Sequence, residues 1–329
     1  MCFSPAIGGG ERKYRCDQIG NAVSSFIKNS LMNGVRVKMY DYKIITDSTS
    51  DLPVKLIKAL DIEVIPMTFT IGENSYTNYP DERDISAHDF YDRLRGGEMS
   101  VTNQISPVTF TEIFEPVLKS GQDVLYIAFS SALSGTYNNA RLIAEELSLK
   151  YQRRKIYAVD SLAASMGEGL LVYYAAQMRQ KGNSIDEVRD WLTANRGRLA
   201  HWFTVDDLNH LKRGGRVSGA AALVGTVLGI KPVLHVDREG CLIPVEKVRG
   251  RRQSLDTLIH HMKTAVEKPE EQMIFISHGD SPDEAKYIAE QVRKQFHVKS
   301  IEINPIGPVI GTHSGPGTIA LFYLGRDRD

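Results

Sequence analysis

VLYIAFSSALSGTYNNA, Val124 to Ala140, changes character abruptly and sets the reading of the fold. Val124–Phe129 is a short unbroken apolar run, the pattern of a strand buried on both faces. Ser130, Ser131, Ser134, Gly135 and Thr136 then form a small-residue turn, and TYNNARLIAEELSLKY resumes with helical spacing. A buried strand feeding a helix through such a turn is half of a βαβ unit.

The same alternation extends in both directions. Upstream, YKIITDST reads as a buried strand. DLPVKLIKALD reads as a short helix with Asp51 near its N-cap and Pro53 in its first turn. IEVIPMTFTI reads as one strand, SAHDFYDRLRGG as an amphipathic helix closed by Gly96 and Gly97, and SPVTFTEIFEPVLKSG as another helix. Downstream come a strand, KIYAVDS, and two helices, GLLVYYAAQMRQKG and SIDEVRDWLTANRGR. Strands alternating with helices of this length imply a parallel, Rossmann-like sheet with right-handed connections.

The second half differs. HWFTVDDLNHLKRGG opens it, and DREG marks a turn between VLHV and CLIPVEKV, which predicts an antiparallel hairpin. RRQSLDTLIHHMKTAVEK and SPDEAKYIAEQVRKQF read as helices, and QMIFISHG and VKSIEINPI as strands, before the glycine-rich tail GPVIGTHSGPGTIALFYLG. The expectation is a two-domain α/β protein with a boundary near residue 200: a parallel-sheet domain over 39–200 and a mixed-sheet domain over 201–329. Residues 1–38 are expected to be a weakly ordered extension from an upstream start. They lack a signal-peptide apolar core, since Lys13, Arg15, Asp17 and Lys28 interrupt them.

Bulk properties exclude several classes. Forty Lys+Arg balance forty Asp+Glu in 329 residues, against a general nucleic-acid binder. No apolar run is long enough to span a membrane. Cys2, Cys16 and Cys241 show no metal spacing and fit a reducing, cytoplasmic setting.

Most short motifs fail on context. There is no P-loop. Gly315, Gly317 and Ala320 match a degenerate dinucleotide fingerprint, but only nine residues follow, too few for the βαβ unit such a site needs. AASMG, 163–167, resembles a nucleophile elbow around Ser165, yet DSL separates it from its strand. His201, His210, His235, His278 and His313 could each be the base, and small residues admitting a helix close to a sheet explain the motif better. His278 reads as a capping residue, His260 and His261 as a solvated helix face, and Cys241 as a small core residue. Asp47, Ser48, Thr49 and Ser50 form an Asx-turn and cap, or line a cleft beyond the strand end. In KRGGRVS, Lys212, Arg213 and Arg216 continue past the helix-ending Gly214, which suits an anionic group or an acidic partner.

Two loops carry the anion-site argument. SSALSGT and VTNQISP both set hydroxyls before a helix whose first N–H groups lack partners, and the second offers Thr102 and Ser106. Either alone is a cap. Together with a histidine in a glycine-rich tail, they suggest a site for a carboxylate or phosphate.

On these residues the chain resembles the DegV family, whose best-understood members are the fatty-acid-binding subunits of bacterial fatty acid kinase. The resemblance runs through IITDSTSDLP, VTNQISP, SSALSGTYNNA, VDSLAASMGEG, KRGGRVSG, GIKPVLHVDREG, VEKVRGRRQSL and THSGPGT, from about Ile44 to Thr318. It implies the two-domain DegV (EDD) fold, a role in fatty-acid metabolism, and one bound long-chain fatty acid such as palmitate or oleate. No cofactor or metal is implied. The carboxylate would lie between the domains, held by Thr102, by Ser131 with the Ala132 N–H, and by His313. Asn103 and Ile105 depart from the family's usual T-S-Q-P-S-P loop. The acyl chain would fill a tunnel walled by AALVGTVLGI, VLHV and IALFYL. Burying ~15 methylenes at ~0.8 kcal/mol each gives a gross gain near ~12 kcal/mol, reduced by ordering costs.

The resemblance further implies that a separate kinase phosphorylates the carboxylate to an acyl phosphate, with Arg213 and Arg216 facing that partner. Contact with a membrane surface would be transient. The rival readings are a serine hydrolase using Ser131 or Ser165, and a pure protein-interaction module.

Overall fold

Pro66 breaks IEVIPMTFTI into two strands, and that break gives the molecule a sheet that the sequence pattern hides. In the computed structural model, which describes residues 40–217 and 229–328, the first strands are Tyr42–Asp47 (β1), Ile62–Ile65 (β2), Met67–Ile71 (β3) and Asn74–Asn78 (β4). Proline has no N–H for a ladder. β2 therefore ends there and pairs parallel to β1, while β3 turns away and pairs antiparallel with β4 and with Ser100–Thr102 (β5). Asp123–Ala128 (β6) and Ile156–Asp160 (β7) complete a parallel sheet in the order β2-β1-β6-β7.

The mixed sheet holds Leu199–Thr204 (β8), Ile230–Val236 (β9), Leu242–Arg249 (β10), Met273–His278 (β11), Ser300–Pro305 (β12) and Ile319–Leu324 (β13). Its order is β10-β9-β8-β13-β11-β12. β9 and β10 form the expected antiparallel hairpin, with Gly240 at φ +82° in its turn. Among the described strands of this sheet, β11 and β12 are the pair that runs parallel. The chain is thus α/β, with a parallel sheet and a mixed sheet.

The helices are Val54–Ala59 (α1), Ala87–Arg95 (α2), Pro107–Lys119 (α3), Thr136–Lys150 (α4), Met166–Gln180 (α5), Ile185–Asn195 (α6), Asn209–Arg213 (α7), Arg251–Ala265 (α8), Pro282–Gln295 (α9) and Pro308–Ser314 (α10). Caps follow the chemistry of the sequence. Ser86 and Ser106 accept N–H bonds at the starts of α2 and α3, and Ser184 forms a capping box with Glu187. α5 is buried on nearly every side, and its residues belong to one apolar cluster with side chains of both main sheets. A Cβ on Gly167 would meet Phe322 of β13 at 2.9 Å, and one on Gly169 would meet the Ser50 carbonyl oxygen at 2.6 Å. The small residues around AASMG therefore admit a helix wedged between two surfaces.

Several local expectations are corrected. Asp51 does not cap α1, whose N-cap position is Pro53. It sits at φ +48° with its carboxylate turned to the Gly307 N–H (2.9 Å) and the Ser165 hydroxyl (2.5 Å). His261 is half-buried, stacked on Trp202 at 3.5 Å between ring centroids, because α8 packs across β8. Cys241 is half-exposed at the hairpin turn, where its N–H donates to Asp237. His278 does cap, accepting the Ser281 N–H at 3.2 Å. The expected 1–38 extension lies outside the described residues, as does AALVGTVLGI apart from Gly229 and Ile230.

Candidate functional site

β5 and α10 meet in register. Alternate strand residues point to one face, so Ser100 Oγ lies 2.7 Å from Thr312 Oγ1 and Thr102 Oγ1 lies 3.0 Å from His313 Nε2. Thr102 and His313 line a cavity of about 230 Å³. Its walls are apolar at Phe129, Leu133, Phe203, Leu211, Leu242 and Ala320. Its polar edge adds Thr49, Ser134, Gly135, Ser165 and Arg216. A second cavity, also about 230 Å³, takes in His210, Arg213, Met99 and Val101. Thr102, Arg216 and His313 border both cavities and so form the wall between them.

His313 is held neutral. Burial, with Arg216 nearby, pushes its pKa down to about 4. Its Nδ1 is buried with no partner among the described residues and packs against Gly214, where any Cβ would collide with the ring. Gly214 thus serves close approach as well as ending α7.

The SSALSGT loop does not point all its hydroxyls the same way. The Ser130 hydroxyl is buried and donates to the Gly240 carbonyl, docking the loop on the β9–β10 turn. The Ser131 N–H donates to Asp160 at 3.2 Å and the Ala132 N–H to Ser130 Oγ at 3.3 Å. Neither Ser131 nor Ala132 lines the cavity; Ser134 and Gly135, three residues further on, do. This pair is not legible in the sequence, because any small residue of the turn looks alike until the turn is traced. In the companion loop, Ser106 is a helix cap, and Thr102, Asn103 and Gln104 line the cavity. Arg213 is exposed beside His210, and Arg216 reaches the Leu133 carbonyl at 3.3 Å and also bonds the Gly214 carbonyl.

A buried acidic network lies behind the polar edge. Thr46 Oγ1 is 2.9 Å from the Ile127 carbonyl and 2.6 Å from Glu168 Oε1. Thr49 Oγ1 lies 2.8 Å from Glu168 Oε2, so both carboxyl oxygens of Glu168 meet hydroxyls. Burial nevertheless raises the Glu168 pKa well above the usual range. Asp47 accepts the Tyr126 hydroxyl at 2.6 Å and both the N–H and hydroxyl of Thr49. Burial raises its pKa too, and raises that of Asp51 to about 7. Ser165, at φ +53°, has its hydroxyl 2.5 Å from Asp51 and 3.0 Å from Ser277.

Among the described residues, three groups that could bind a metal meet only at His88, Asp92 and Asp280, and there Arg95 already pairs with both acids. No helix of the described residues is long and apolar enough to cross a membrane.

The chain is similar in sequence and fold to proteins of one known family. The DegV family model, described as that of an uncharacterised protein family, matches residues 41–326. A DegV domain-containing protein of Clostridium perfringens, CPE0026, is 45% identical over 291 residues, covering 88% of this chain and 100% of its own. A solved DegV lipid-binding protein from Thermotoga maritima superposes with a TM-score of 0.76 at 31% identity, covering 88% of this chain and 100% of its own. A DegV family protein from Thermus thermophilus, solved in a study of its fatty-acid binding, superposes at 0.79 with 29% identity and coverages of 87% and 100%.

Proposed function

Because the chain belongs to the DegV family, we propose that it binds one long-chain fatty acid, with the carboxyl group beside Thr102 and His313 and the acyl chain along the apolar wall. The observation that carries this reading is the Thr102–His313 pair, 3.0 Å apart, set into a cavity whose apolar side includes Phe129, Leu133, Phe203, Leu211, Leu242 and Ile306. A neutral imidazole, a hydroxyl and the nearby Ser134 and Gly135 suit a single carboxyl group, and the apolar wall suits methylenes. The Thermus and Thermotoga relatives, described as fatty-acid-binding and lipid-binding, support the same ligand class. Ser131 and Ala132 become a secondary proposal, since their N–H groups already serve Asp160 and Ser130.

The chain would act as a cytoplasmic carrier presenting its ligand to a separate kinase. The second cavity supports that role. It reaches the far side of Thr102 and His313, carries Arg213 and Arg216, and is flanked by Met99 and Val101, which are 55% and 62% exposed. Cations beside exposed apolar groups suit a protein partner that brings a phosphoryl donor.

Hydrolysis is the weaker reading. No histidine bonds Ser131 or Ser165 among the described residues, and the Ser165 hydroxyl lies against Asp51 and Ser277. Organic extraction of the purified protein followed by mass spectrometry tests the proposal. Fatty acid in near-stoichiometric amount is expected; lipid-free protein that also fails to bind added oleate overturns it.

A further inference from the structure

His201 sits in the apolar wall of the cavity and is not accounted for by head-group binding. β8 alternates its side chains. Trp202 faces away, against His261, while His201 and Phe203 face the cavity. The His201 ring is 4% exposed and is enclosed by Phe203 and Phe322, at centroid distances of 5.5 and 4.6 Å. Its Nδ1 is enclosed by protein, beyond a ligand's reach, and Nε2, with no partner among the described residues, is the nitrogen left to face the cavity. Its backbone carbonyl lies 3.1 Å from His235 Nδ1.

The strand register sets its depth. Thr204 pairs with Ile319, next to Thr318 of the cavity lining, and His201 pairs with Phe322. Three strand residues separate the two levels, about 10 Å at 3.3 Å per residue. His201 therefore faces part of the cavity well removed from the level of Thr318, where a long acyl chain would run.

An imidazole nitrogen left unpaired in apolar surroundings is unfavourable, and a saturated chain lying across it offers nothing to bond. Resting on the fatty-acid reading above, we propose that the preferred ligands are fatty acids bearing a hydroxyl part-way along the chain, which the His201 imidazole bonds. A hydroxyl both donates and accepts, so it satisfies either tautomer of a neutral imidazole, whereas a keto oxygen satisfies only an N–H. His201 is neutral: burial first, then the buried Arg328 and His235, hold its pKa well below the ordinary value.

Calorimetric titration of delipidated protein compares stearate with monohydroxystearates substituted at mid-chain or at the methyl end. The mid-chain hydroxy acid is expected to bind about tenfold more tightly than stearate, the value of one added hydrogen bond. That preference should fall to parity in His201→Leu and survive in part in His201→Gln, which keeps a donor and an acceptor. Parity between stearate and the hydroxy acids in the native chain overturns the assignment, leaving a bound water as the partner of His201 and the fatty-acid reading intact. A preference unchanged in His201→Leu overturns it as well. Failure of every acid to bind overturns both proposals. Should the Leu variant not fold, the native series together with His201→Gln still decides the matter.

Discussion

Thr102 and Ser131 both stand in hydroxyl loops ahead of helices, yet the structure gives them different surroundings. Thr102 Oγ1 touches His313 and the cavity; the Ser131 N–H serves Asp160, and its side chain is outside the lining. Thr102→Val should weaken oleate binding by roughly 1.5–3 kcal/mol, the worth of a hydrogen bond to a charged group, without unfolding the protein. Ser131→Ala should cost less than Thr102→Val, and calorimetric titration of both variants ranks them. The reverse order would return Ser131 to the head group. The sequence could not make this distinction, because a helix cap and an anion ligand are the same residue types in the same place; Ser106, a plain cap beside Thr102, illustrates it. Asp51 carries a second prediction. Burial raises its pKa to about 7 from the ordinary carboxylate value of 3.8. Between those values the folded chain holds a proton that the unfolded chain has released, so this group's contribution to stability is present below about pH 4 and is lost as pH rises toward 7. Asp51→Asn removes the term, so its stability relative to the native chain should rise from pH 4 to pH 8, by up to about 4 kcal/mol. Denaturant titrations at the two pH values measure it. A difference that does not vary with pH would mean that Asp51 is ionised throughout.

At the scale of elements, legibility depended on whether the pattern was local. Strand-turn-helix alternation over β6 and α4, and the β9–β10 hairpin around DREG, could be read directly, because periodicity and turn chemistry are local. The β4-β3-β5 sheet could not. IEVIPMTFTI is apolar on both sides of Pro66, and three-residue β5 is too short to show alternation. The wedge role of α5 was half visible. Its glycines signalled close packing, but not that Gly167 faces Phe322 of the mixed sheet while Gly169 faces Ser50 beside the parallel one. Gly169→Ala should be the more damaging of the two alanine substitutions. Its Cβ would press on a backbone oxygen, which cannot rotate away, whereas Gly167→Ala meets the Phe322 ring edge. Overpacking of this kind costs typically about 1–3 kcal/mol, so thermal melts should show a clear drop for Gly169→Ala and a smaller one for Gly167→Ala. Equal and negligible shifts would mean that α5 has room to move.

For the whole molecule, the question is whether the division near residue 200 separates two folding units. Sheet membership does change at β8, but the largest apolar cluster runs from Tyr42, Ile44 and Leu125 through α5 to Phe203, Leu234 and Phe322. Polar ties cross the same division: Asp51 holds the Gly307 N–H, and Ser130 holds the Gly240 carbonyl. A shared core of this kind couples unfolding, since neither sheet can expose its share without exposing the other's. We therefore expect segments 39–200 and 201–329 to be structural halves that melt together. The chain's two tryptophans provide the test, because Trp191 lies on α6 beside Tyr174, and Trp202 lies on β8 against His261. Trp191→Phe leaves a reporter of the mixed sheet, and Trp202→Phe one of the parallel sheet's helical layer. In urea each fluorescence transition should coincide with the loss of far-UV circular dichroism in the same variant. A fluorescence transition displaced from the dichroism in either variant would mean that each half has a core of its own, and that the cavity between Thr102 and His201 is lined by two separately stable bodies.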